Sequence, residues 1–176
     1  MYILLKSDLK DVVPALFSKV NANTDIGRRR TLMFFQAENL SKLYPVILAS
    51  GKKILVRSKI EKIIAENLKE QKAKFEYEPE DLLQQYSMIP DFKIVESGNT
   101  YYLEHLGRMD NDAYRKRWQR KLENYRQAGL EDKLITTSEG QKTVDQGKVI
   151  ANILRDIKSG TLKYTDNDYS KHHYII

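Results

Sequence analysis

The chain has no cysteine, three histidines and one tryptophan among its 176 residues. Without thiols there is no disulfide scaffold, no thiolate zinc site and no cysteine nucleophile. Two of the histidines, His172 and His173, are adjacent near the end of the chain and the third, His105, stands far from them. That is a poor basis for a histidine-rich metal site, so any metal would be held by oxygen ligands. Four prolines and eight glycines are too few and too scattered to make a linker, and no internal repeat or low-complexity tract is present. No apolar run approaches the ~18 residues of a membrane span. The opening residues lack a basic stretch ahead of their short apolar segment, unlike a secretory leader. The expectation is a soluble, cytoplasmic protein with no membrane partner.

Thirty Lys and Arg stand against twenty-four Asp and Glu, a net charge of +6. This leans mildly toward a polyanionic partner. The length and the apolar content, 41%, suit one principal domain with a real core. We read residues 1–50 as an extension packing on that core, 51–160 as the core itself and 161–176 as a tail. The extension carries the basic cluster Arg28, Arg29 and Arg30, the apolar run Leu32 to Phe35, and a helix expected near 40–49 that Pro45 would kink or split.

From Gly51 onward the periodicities sharpen. Residues 53–57 read as a strand, and Ser58 caps a helix with Ile60, Ile63, Ile64 and Leu68 at helical spacing, ending near Gln71. Residues 74–78 alternate as a strand, stopped by Pro79, and a loop or short helix follows to about Ile89. Strands at 91–95 and 101–106 flank a hairpin loop containing Gly98. A helix over 112–128 carries Tyr114, Trp118, Leu122 and Tyr125 on one side, with Gly129 as its stop. A strand at 133–137 and a helix at 144–157 complete the core, and the tail is open between strand, docking segment and disorder. The order predicts an α/β fold with a central mixed sheet flanked by helices.

A hairpin turning about Gly98 sets Asp91 opposite His105 and beside Glu104. Facing side chains lie ~5 Å apart, and like charges at that distance destabilise each other unless a cation or proton intervenes. A hard dication such as Mg²⁺ suits the pair, because one or two carboxylates with water and phosphate oxygens complete its shell. Glu104 lies among Tyr101, Tyr102, Leu103 and Leu106, where a charge is costly to bury. The plainer alternative makes Asp91 a polar residue at a strand start and pairs Glu104 with a lysine at the surface.

These residues resemble the PD-(D/E)XK nuclease superfamily over about residues 51–140. The matching pieces are Glu61 in Ser58-Lys-Ile-Glu61, Pro90-Asp91-Phe92 opening a strand, Tyr101-Tyr-Leu-Glu-His-Leu-Gly107 on its hairpin partner, and Lys121-Leu-Glu-Asn-Tyr125 on the next helix. The resemblance implies a restriction-endonuclease-like core in which Asp91 and Glu104 bind Mg²⁺, with Mn²⁺ as a substitute. It also implies that Glu61 supports the metal or its water and that the His105 backbone carbonyl is a further ligand. The family's lysine two residues after the second acid is Leu106 here. Some members supply that lysine from the following helix, which points to Lys121, and Lys-x-x-x-Tyr resembles the Gln-x-x-x-Tyr element of exonuclease-like branches, with Tyr125 in support. The run from Glu104 to Leu130 is similar to nuclease-like domains appended to helicases or found in phage and defence systems.

The implied activity is Mg²⁺-dependent hydrolysis of nucleic-acid phosphodiesters, DNA rather than RNA. The alternative is an inactive nuclease-like module that binds nucleic acid or docks a protein. Arg117 and Arg120, with Lys52 and Lys53, are the candidate phosphate contacts, and a homodimer or a helicase, repair or defence complex is the expected setting. Each residue also has a plainer role: Glu61 as the return half of a capping box, Lys121 as part of a solvated basic face, and Trp118 and Tyr125 as core. His105 should point to the opposite sheet face as a hydrogen-bonded, semi-buried side chain.

Overall fold

The computed structural model describes residues 43–140, 144–165 and 167–176. The basic cluster at 28–30, the apolar run at 32–35 and the start of the helix expected from 40 lie outside these residues. The chain divides into two compact units, 1–62 and 63–176. In the described part of the first, β1 (Tyr44–Ile47) pairs antiparallel with β2 (Lys53–Val56). A strand therefore occupies most of 43–49, where a helix was expected. Pro45 has no N–H and disfavours helix at the residue before it, whereas a two-stranded edge tolerates it. Val46, two residues from Tyr44, turns inward at 2% exposure.

Helix α1 (Lys59–Glu70) begins at the end of the first unit and continues into the second. Its buried residues are Glu61, Ile64, Ala65 and Leu68; of the predicted stripe Ile64 and Leu68 are buried, and Ile60 and Ile63 are half-buried. The rest of the second unit is built on a five-stranded sheet in the order β3 (Lys74–Tyr77), β4 (Phe92–Glu96), β5 (Asn99–His105), β6 (Leu134–Ser138), β7 (His172–Ile175). The pairs β3–β4 and β4–β5 are antiparallel, and β5–β6 and β6–β7 are parallel. The sheet is thus mixed, as the element order predicts. The tail supplies its last strand.

Side chains alternate between faces along each strand. Tyr102, Leu106 and Leu134 form one apolar cluster with Trp118, Leu122 and Tyr125 of α3 (Asp112–Gln127), closed by Leu82 and Met88 on either side of the short helix α2 (Leu83–Tyr86). The alternate set, Phe92, Ile94, Leu103 and Ile135, is fully buried. Helix α4 (Gln146–Ser159) contacts β4 and buries Ile150, Ile153, Leu154 and Ile157. Asn111 caps α3 by accepting the Tyr114 amide at 3.0 Å, and Asp145 caps α4 through the Lys148 amide at 3.1 Å. No helix of the described residues is long and apolar enough to cross a membrane.

The β4–β5 turn is two residues long. Glu96 pairs with Asn99, and Ser97 and Gly98 between them both have positive φ, 50° and 78°. Two positive φ values define the type I′ turn, whose twist matches that of the strands. Ser97 occupies a conformation that Asn adopts more readily. Replacing Ser97 with Asn should therefore stabilise the fold by about 0.5 kcal/mol, seen as a higher urea midpoint at unchanged slope; an unchanged or lower midpoint would contradict the turn assignment.

Candidate active site

This turn corrects the expected register by one residue. The last ladder pair is Phe92 with Leu103, so one step outward Asp91 stands opposite Glu104, not His105. Both carboxylates consequently lie on the sheet face that α3 covers. Asp91 follows Pro90 at the entry to β4, its carbonyl accepts the Glu78 amide at 2.9 Å, and its carboxylate Oδ2 accepts the His105 amide at 2.8 Å. The ladder is extended by a side chain where its backbone pairing stops.

Glu104 is only 3% exposed, so its charge must be compensated locally. Two groups of α3 do so, both at Oε1: the Lys121 ammonium at 2.6 Å and the Tyr125 hydroxyl at 2.7 Å. They stand four residues apart on the helix and so reach the same point. Among the described residues none donates to Oε2. The Lys121 ammonium also donates to the Ile89 carbonyl at 2.7 Å, which ties the helix to the chain just ahead of Asp91. Asn124 repeats the device by donating to the Tyr86 carbonyl at 3.1 Å.

Burial pushes the Glu104 carboxyl up to about 7, against the pull of Lys121, and the Asp91 charge raises it further. Burial, followed by the Glu104 charge, raises Tyr125 well above the ordinary phenol value, so Tyr125 remains a proton donor at neutral pH. Leu106, in place of the family's motif lysine, is 3% exposed inside the apolar cluster. An ammonium there would be buried in hydrocarbon.

His105 lies on the far sheet face, as the alternation predicts, with Nδ1 3.1 Å from Thr137 Oγ1. Burial holds its imidazole below the ordinary value despite the nearby Asp91 charge. Its carbonyl, the suggested further ligand, accepts the Tyr114 hydroxyl at 3.4 Å. Arg117 and Arg120 are exposed on α3, and Arg117 lies 5.7 Å from the centre of the Tyr114 ring. Neither forms an ion pair with an acid of the described residues.

Glu61, Lys52 and Lys53 belong to the first unit. The Glu61 amide donates to Ser58 Oγ at 3.0 Å, and its carboxylate reaches back to the Arg57 amide at 2.9 Å. This is the capping arrangement of the plainer reading, its return contact one residue earlier than the Ser58 amide. Lys52 and Lys53 are exposed beside Gly51.

A row of polar side chains was not legible in the sequence. Across the parallel strands Glu104 pairs with Thr136, and Thr136 with His173, which puts all three on one face. His173 Nδ1 lies 2.9 Å from Thr136 Oγ1 and Nε2 3.0 Å from Ser138 Oγ, and Ser170 Oγ closes the network 2.7 Å from Thr136. Burial, with a smaller push from His105, lowers His173 to about 4, so it is neutral near pH 7. The signal was the aromatic and β-branched composition of 172–176, which suits a strand, but only its docking beside β6 gives it a place.

The buried carboxyl has a stability signature. A carboxyl near 7 when folded and near 4.5 when unfolded holds its proton longer in the folded state. The stabilisation is complete below pH ~4.5 and is lost as pH rises through 7. His105 and His173, lowered by burial, act in the opposite sense, so the informative quantity is the difference between two proteins. From pH 5 to 7.5 the wild type should lose roughly 1–3 kcal/mol relative to Glu104→Gln, measured by urea unfolding at each pH. Parallel curves would contradict the burial of an ionisable carboxyl at this position.

No family model matches the chain, and no solved structure gives a significant match. The chain is similar to an uncharacterized protein of Methanocaldococcus jannaschii, 31% identical over 172 residues that cover 92% of this chain and 14% of the relative. The chain therefore spans about one seventh of the length of the curated relative it matches.

Proposed function

We propose that the second unit is a divalent-cation-dependent nuclease of restriction-endonuclease-like type, acting on DNA. The observation that carries this reading is the meeting of Asp91, Glu104 and Lys121 at one end of the β4–β5 hairpin, with Lys121 Nζ 2.6 Å from Glu104 Oε1. The sequence pairs Asp91 with Glu104 across the hairpin, and Lys121, the substitute that the resemblance offers for the motif lysine, supports the reading by reaching Glu104.

The donor set fits a hard dication. Two opposed carboxylates supply oxygen ligands, and the second is held up near 7 by burial and by its neighbour's charge, an environment that an added positive charge would relieve. Among the described residues no three His, Cys, Asp or Glu side chains gather into a metal cluster. Mg²⁺ takes one or two carboxylates and fills its shell with water and substrate oxygens, so the pair would suffice for it, and Mn²⁺ would substitute. Asp91 and Glu104 would hold the ion, with the His105 carbonyl as a further donor. When bound, the ion supplies Lewis-acid polarisation of the phosphodiester.

The remaining roles belong to the chain's own side chains. Tyr125 fixes the orientation of Glu104 through a proton it keeps. Lys121, drawn from Glu104 toward substrate, would stabilise the charge that develops on the attacked phosphate. Arg117 and Arg120 would contact flanking phosphates. Glu61 makes its cap contacts within the first unit. As the resemblance implies, the unit would work as a homodimer or beside a helicase, in a repair or defence complex.

A second reading draws on the same 2.6 Å contact. If Lys121 remains on Glu104, a ligand oxygen stays occupied and the unit is an inactive module that binds nucleic acid or docks a protein. Incubation with supercoiled, linear and single-stranded DNA in Mg²⁺, Mn²⁺ or EDTA separates the two. The nuclease reading expects metal-dependent cleavage that disappears in Asp91→Ala. In Lys121→Ala it expects turnover lower by at least about a hundredfold while metal binding, followed by calorimetry, persists. Cleavage unchanged in Asp91→Ala, or full turnover in Lys121→Ala, would overturn the assignment.

A further inference from the structure

On the other flank of α3 the second unit has a recognition surface that the carboxylate site does not use. Between the helix and the loop leading into β7 lies a cavity of about 510 Å³ lined by Met109, Arg115, Gln119, Asn167, Asp168 and Tyr169. This is within the usual range for small-molecule sites, ~300–1,000 Å³. Part of its wall is held by hydrogen bonds within the chain, and Arg115, Gln119, Asn167 and Asp168 are exposed. Trp118 Nε1 donates to the Tyr169 carbonyl at 3.1 Å, and Asn167 Oδ1 accepts the amides of Tyr169 and Ser170 at 2.8 and 3.3 Å. The Tyr169 ring is backed by the His173 imidazole, centre to centre 4.5 Å. Across the cavity the Arg115 guanidinium is held by the Met109 carbonyl at 2.9 Å and by Asp112, with N–H donors to spare.

The lining chemistry defines the ligand. Arg115 is paired with Asp112, so the Asp168 carboxylate in the lining disfavours an anion and suits a neutral molecule with N–H donors. The Tyr169 ring and the Met109 thioether offer apolar surface to a flat group. Donors (Arg115, Gln119, Asn167) and an acceptor-only carboxylate (Asp168) together call for a ring with both acceptors and donors on its edges. We propose that this cavity binds a nucleobase, and guanine in preference to the others. Guanine presents N1–H and the 2-amino group side by side for a carboxylate, with O6 and N7 as acceptors for a guanidinium; adenine and the pyrimidines lack that combination. Stacking on an aromatic ring is the usual way to hold an unstacked base.

Arg115 and Lys121 are separated by ~9 Å along the helix axis. On the proposed function, a base in the cavity and a nucleotide at the carboxylates would lie on different flanks of the same helix. The binding claim does not depend on cleavage, and it can fail or succeed alone.

The test is a titration of the ¹⁵N-labelled full chain in EDTA with guanosine, inosine, adenosine and cytidine. The reporters are the Trp118 indole N–H and the side-chain amides of Gln119 and Asn167. Saturable shifts are expected with guanosine, with affinity about tenfold or more above adenosine. Inosine, which lacks the 2-amino group, should bind more weakly than guanosine. Asp168→Asn, at an exposed position, should remove the preference for guanosine. Absence of saturable shifts with every nucleoside, equal affinity for guanosine and adenosine, or an Asp168→Asn protein that keeps the preference would each overturn the proposal.

Discussion

A carboxylate buried beside a second carboxylate is the constraint around which the second unit is arranged. Glu104 lies inside a strand whose neighbours are packed on both faces, and its charge has little water to relieve it. The compensation comes from α3, which must lie so that Lys121 and Tyr125 both reach one oxygen. The same lysine grips the Ile89 carbonyl, so the helix also fixes the approach to Asp91. One costly side chain thereby sets the position of a helix, a hairpin end and a loop relative to each other. A buried ion pair of this kind is weak evidence for stability, because apolar replacements commonly do as well. The proposed function gives that pair a use in chemistry.

The sheet topology places the pair. Glu104 and Thr136 sit near the carboxyl ends of the parallel strands β5 and β6, the end of an α/β sheet where ligands commonly bind. Asp91 arrives at the same end because β4 runs antiparallel to β5. His173, bonded through both ring nitrogens to hydroxyls, extends the polar row without adding charge. Arg117 and Arg120 are exposed on α3, and in the proposed function they would meet a polyanion.

Much of this order was legible in the sequence, because period-two and helical spacings act locally. The hairpin, both long helices and the mixed sheet follow from such signals. The register error had a local cause as well: Ser97 accepts a positive φ that favours glycine or asparagine, so the turn is two residues long and the facing pair becomes Asp91 and Glu104. The strand at Tyr44–Ile47 was misread because a short apolar run with one proline suits either an edge strand or a broken helix. Lys121 could be picked from a basic helix only through a family resemblance, since Lys116, Arg117 and Arg120 look equivalent to it in composition. The His173 network and the cavity at Tyr169 depend on where the tail docks, and no periodicity in 161–171 announces that.

The account turns on whether the two hairpin carboxylates share a dication. Anomalous diffraction from crystals grown with Mn²⁺ measures this most directly. The account predicts a peak bridging the carboxylates of Asp91 and Glu104, with the Lys121 ammonium moved off Glu104. A structure with no peak there, and with Lys121 still on Glu104 at saturating Mn²⁺, would contradict it.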